Sequence, residues 1–134
     1  MSPHRKERVG MLENARVATR IPTQDMERAR RFYAEKLGLK PAEERPGGLL
    51  YRCASGAFAL FESAGASPGT FTQMAFEVDD LDAVVADLRA RGLEFEYDGI
   101  AEVEGHYPSK GGRGERAVWF RDSENNMVGI GQAL

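Results

Sequence analysis

Cysteine is nearly absent from this chain of 134 residues, with Cys53 the only one. No internal disulfide can form and no cysteine cage for a metal exists, so Cys53 reads as a small buried hydrophobe on a strand. Long apolar runs are also missing, since none approaches the ~20 residues a membrane span requires. Residues 1–14 lack the apolar core of a signal peptide, and a cytoplasmic protein with a flexible segment 1–14 is expected. An excess of positive charge is absent too: 18 Lys and Arg stand against 21 Asp and Glu, a net charge of -3. That balance argues against a nucleic-acid partner, which needs a concentrated basic surface. The basic clusters "HRKER" and Arg28, Arg30 and Arg31 fit a loose terminus and a solvated helix face. No P-loop or G-x-G-x-x-G occurs, and "GGRG" lacks the strand-then-helix context of a phosphate site.

What is present is ordinary for one globular domain, with 42% apolar and 29% charged residues and enough length to bury a core. "ARVATRIP" alternates Val17, Thr19 and Ile21 against Ala18 and Arg20, which predicts a strand ending at Pro22. In "TQDMERARRFYAEKLGL" the apolar residues recur at helical spacing and Gly38 suits a C-terminal cap, giving a helix over about 25–36. "LLYRCA" and "AFALFES" flank Ser55-Gly56 as a hairpin, with room before it for a further strand.

The second half starts over. "TQMAFEV" alternates as a strand, and Asp79-Asp80 caps a helix in "LDAVVADLRARG". Asp25-Met26 is answered by Asp80-Leu81, 55 residues on. Further strands are expected at "LEFEY", near Ile100 to Glu104, at "RAVWFRD" and at "NMVGIGQ". The pattern is an internal duplication. It predicts an α+β fold of two tandem β-α-β-β-β modules, 15–66 and 70–134, forming a curved mixed sheet with a concave cleft in one compact domain.

Strand parity then assigns faces. Val17, Thr19, Ile21, Phe58, Leu60, Met74, Phe76, Val78, Val118, Phe120, Val128 and Ile130 should pack under the helices. Arg20, Tyr51, Phe61, Gln73, Glu77, Trp119, Arg121 and Met127, with Cys53 and several small residues, should line the concave side.

The segments "DMERARRFYAEKLGL" and "MAFEVDDLDAVVADLRARG", with the closing "WFRDSENNMVGI", resemble the vicinal oxygen chelate superfamily. That group includes glyoxalase I, extradiol dioxygenases and bleomycin-resistance proteins. The resemblance spans roughly residues 15–132 and implies a divalent metal held by a residue from the first strand of each module and a carboxylate from the last. Such a site needs three or four donors converging within about 2.0–2.6 Å. Carried over position by position, the ligands fall on Ala18, Gln73, Ala59 and Gly129. Three of these have no donor atom in the side chain, so no metal or other cofactor is expected. A displaced divalent metal is the alternative.

Without a metal, aromatic walls and a few polar groups describe a small-molecule pocket. The expected activity is sequestration of an aromatic or amphipathic ligand by a homodimer of the bleomycin-resistance-like branch. The alternative is a glyoxalase- or dioxygenase-like lyase, isomerase or oxidoreductase, with Glu77 and His106 as acid-base candidates. The glycine-rich loop "EGHYPSKGGRGERA" stands beside the cleft, where His106, Tyr107, Lys110 and Arg113 could close over a ligand. A closed core or a dimer contact is the plainer reading of the same side chains.

Overall fold

Alternation of apolar and polar residues builds one four-stranded mixed sheet in each half of the chain. The computed structural model describes residues 10–103 and 114–134. After a 3-10 turn at Met11–Asn14 come β1 (Thr19–Thr23), α1 (Met26–Leu37), β2 (Glu43–Arg45), β3 (Gly48–Arg52) and β4 (Ala57–Glu62). The second half repeats the order with β5 (Thr72–Glu77), α2 (Leu81–Ala90), β6 (Ala101–Val103), β7 (Glu115–Arg121) and β8 (Met127–Ala133). Strand order is β1-β4-β3-β2 in one sheet and β5-β8-β7-β6 in the other. The duplication extends to register: Ala59 lies opposite Arg20, Gly129 opposite Ala75, and Arg20 and Ala75 are 55 residues apart.

Each helix carries its own start signal. An Asp25 side-chain oxygen accepts from the Arg28 N–H at 3.0 Å and caps α1, while Gly38 closes it in the left-handed region at φ 70°. Asp80 caps α2 in the same way through the Ala83 N–H at 3.1 Å. Ala29 and Tyr33 of α1 pack on Ile21, Leu49, Tyr51, Phe58 and Leu60 of its sheet. Leu81, Val85 and Leu88 of α2 pack on Val118, Phe120, Val128 and Ile130 of the other sheet. Each of the large side chains among them contributes about 1.5–3 kcal/mol by leaving water. Met74 and Phe76 pack against both clusters and join the modules, as does the stacking of Phe32 on Phe120, 6.3 Å between centroids.

Four expectations are corrected. Strand β1 begins at Thr19, leaving Val17 99% exposed, and it runs on through Pro22, which an edge strand tolerates. "LEFEY" forms no strand; the segment is irregular, and its backbone touches β7 through the Glu96 N–H, which donates to the Trp119 carbonyl at 2.8 Å. Cys53 is exposed and lies just past β3. Tyr51 faces the helix side, because its ring stacks on Phe58 at 4.9 Å and packs on Tyr33 at 5.5 Å.

Candidate functional site

The sheet faces turned away from the helices carry two separate cavities. The first-module cavity, about 470 Å³, is lined by Arg16, Ala18, Arg20, Arg45, Ala59 and Phe61 among others. The second, about 540 Å³, is lined by Thr72, Ala75, Glu77, Glu115, Trp119 and Gly129 among others. The structure thus places Arg20 and Phe61 together, and Glu77 and Trp119 together, but each pair in a different cavity. Tyr51 is in the core. Met127 is buried at the start of β8. Gln73 sits where the β5–β8 register shifts and accepts from the Ser67 hydroxyl at 3.5 Å. Arg121 leaves the cavity, pairing with Glu96 at 2.7 Å and donating to Asn125 at 3.1 Å. His106 lies outside the described residues.

Trp119 and Gly129 are direct partners in the β7–β8 ladder. A Cβ built on Gly129 would stand 3.3 Å from the Trp119 Nε1 and 3.4 Å from its Cδ1. The bare glycine lets the indole lie close over β8, and the ring covers the backbone there. Tyr97 meets the indole edge-on, with centroids 5.8 Å apart at 82°. The irregular "LEFEY" segment delivers that ring, because the Glu96 N–H bond to β7 anchors its neighbour beside Trp119.

Sequence reasoning missed Glu115. Burial raises its carboxyl above the ordinary value, and the negative charge of Glu77 adds to the rise. The signal was available: Glu115 shares parity with Ala117 and Trp119, and extending β7 two residues toward its start places it on the open face.

The Glyoxalase/Bleomycin resistance protein/Dioxygenase superfamily profile matches residues 15–130, spanning both modules. The chain belongs to this superfamily. Solved members share its fold at low identity. A glyoxalase/bleomycin resistance protein/dioxygenase from Alicyclobacillus acidocaldarius is 18% identical with a TM-score of 0.71, covering 90% of this chain and 92% of its own. A protein of the same description from Nocardioides is 24% identical with a TM-score of 0.65, covering 87% and 82%. Lactoylglutathione lyase from Agrobacterium tumefaciens is 21% identical with a TM-score of 0.61, covering 89% and 93%. No curated protein matches the chain at a significant level.

The superfamily resemblance can be tested against the residues present. Ala18 and Ala59 line one cavity and Gly129 the other, none with a side-chain donor, and the remaining position is Gln73 at the register shift. The space beside Gly129 is occupied by the indole of Trp119. These residues do not fit a divalent metal at the positions the superfamily implies. Among the described residues no group of three or more His, Cys, Asp or Glu is arranged to hold one elsewhere. None of the described helices is long and apolar enough to cross a membrane.

Proposed function

We propose that this superfamily member is a metal-independent binding protein of the bleomycin-resistance-like branch, acting in the cytoplasm as a homodimer and sequestering an aromatic or amphipathic small molecule. The observation that carries the reading is the exchange at Gly129: a flat indole lies over the position where a carboxylate ligand is implied. An indole face offers large apolar area with little conformational entropy to lose, and Tyr97 fixes its edge. Phe61 and the small residues Ala18 and Ala59 leave comparable room on the first module.

Trp119 is the only tryptophan, so its emission reports on the cavity directly. Titration with a panel of aromatic amphiphiles should give a saturable change for the bound class. Trp119→Leu should weaken that binding by roughly tenfold, measured by calorimetry. Elemental analysis showing stoichiometric metal held by protein groups overturns the proposal.

One observation favours a second reading, metal-independent acid-base catalysis. Glu77 and Glu115 line the same cavity, and burial together with the charge of Glu77 raises the Glu115 carboxyl toward the range of a general acid. That reading requires turnover that rises and falls with pH and collapses in Glu115→Gln.

A further inference from the structure

The boundary between the modules is built differently from either module. Strands β1 and β5 are adjacent, yet each ends its own sheet, so among the described residues no backbone ladder joins the two sheets. Covalently the modules are tied by residues 63–71. A group of polar contacts crosses from the second module onto β1 and α1 at one place, the turn between β7 and β8. Glu124 accepts from the backbone N–H groups of Gln24 and Asp25 at 3.0 and 2.9 Å. It also accepts from Arg28 Nε and Nη2 at 2.8 and 2.9 Å. Asp122 accepts from the Tyr33 hydroxyl at 2.8 Å, and Asn126 donates to the Pro22 carbonyl at 3.0 Å.

We infer that the 122–126 turn is a clasp on the amino end of α1 whose release lets the two modules separate while each keeps its own sheet. The Glu124 side chain is fully buried and Arg28 half exposed. A buried carboxylate is tolerable only while its donors are in place. Losing Arg28 therefore penalises the closed arrangement, where Glu124 stays dry, and not an opened one, where water reaches it. The ladders inside each module use none of these groups, so they keep their stability. Local openings of this kind, cheaper than global unfolding, follow the weakest set of contacts in a fold.

The chain supplies its own reporters. Its single tryptophan, Trp119, lies in the second module, and its single cysteine, exposed Cys53, lies in the first. Energy transfer from Trp119 to an aminonaphthalene sulfonate attached at Cys53 reads the distance between modules, while far-UV circular dichroism reads the sheets and helices. In urea the two signals of the wild type should change together. In Arg28→Ala and in Glu124→Gln, about half the transfer should be lost before the dichroism has moved by about a tenth of its range. Asp80→Ala, which removes the α2 cap, should lower stability with the two signals still coincident. Coincident transitions in both clasp variants, or separated transitions in Asp80→Ala as well, overturn the inference.

Discussion

Gly129 and Trp119 show how one side chain can be explained by the lack of another. Glycine inside a strand costs about 0.5–1 kcal/mol relative to alanine through the freedom of the unfolded chain, so it persists where something needs the space. Here the indole does, with Nε1 at 3.3 Å from the Cβ that is not there and Tyr97 against its edge. Gly129→Ala therefore sets an entropic gain against displacement of a packed ring, which costs about 1–3 kcal/mol. We expect the second to win, with a net loss of about 1 kcal/mol in urea unfolding and a shift of the Trp119 emission. A stabilised variant with unchanged emission would show that the ring does not need the gap. The alanines and the glycine at the implied metal positions were legible as empty from the sequence alone. That an aromatic ring fills one of them was not, because it depends on the β7–β8 register placing Trp119 opposite Gly129.

Elements were legible where they carry their own instructions. Both helices announce themselves by 3.6-residue spacing and an aspartate cap; the hairpin of β3 and β4 by its glycine, Gly56, at φ 79°. Failures occurred where a neighbour decides. "ARVA" alternates like a strand, but the ladder with β4 starts only at Thr19, opposite Phe58, and alternation alone does not show where a partner begins. "LEFEY" also alternates, yet β6 takes the edge of β7 farther along. Consecutive Leu49, Leu50 and Tyr51 obscure the parity of β3, which the stack of Tyr51 on Phe58 settles. The turn between β7 and β8 joins two elements that sequence separates by about a hundred positions, and it sets a pH dependence. Burial pushes the Glu124 carboxyl up, but hydrogen bonds from Arg28, the Asp25 N–H, Ser123 and the Gln24 N–H outweigh it and hold the group at about 2. A carboxyl lowered on folding stabilises the folded state fully above its unfolded value, near 4.5. That contribution, on the order of 3 kcal/mol, is lost as pH falls from 4.5 through 2. Wild type and Glu124→Gln should accordingly differ in urea midpoint at pH 7 and converge toward pH 2. A gap that stays constant across that range would remove the carboxylate from the account.

At the scale of the whole molecule, the faces of the strands other than β3 were readable but the grouping of their residues was not. Parity placed Arg20 and Glu77 on one continuous cleft, whereas they line cavities on different modules, since only the packing of the modules decides which faces meet. The two cavities differ in charge. Arg16, Arg20 and Arg45 line the first; Glu77 and Glu115 line the second. In the proposed homodimer, a two-fold axis that lays the basic cavity of each copy on the acidic cavity of the other brings opposite charges together twice, and it buries apolar groups on the exposed rims. Val17 is 99% exposed, Tyr97 62% and Phe71 54%, and each lies in or next to a residue lining one of these cavities. Opposed charges partly exposed to solvent are screened by salt over about 10 Å at 0.1 M, and their mutation acts on association more than on folding. Sedimentation should therefore show a dimer whose dissociation constant rises by roughly tenfold between 50 mM and 500 mM salt. Arg20→Glu should weaken it further while leaving the urea midpoint of the monomer nearly unchanged, as exposed substitutions usually do. A chain that stays monomeric at every concentration, or a dimer indifferent to both salt and Arg20, would mean that the complementary charges face ligand and solvent rather than a second copy.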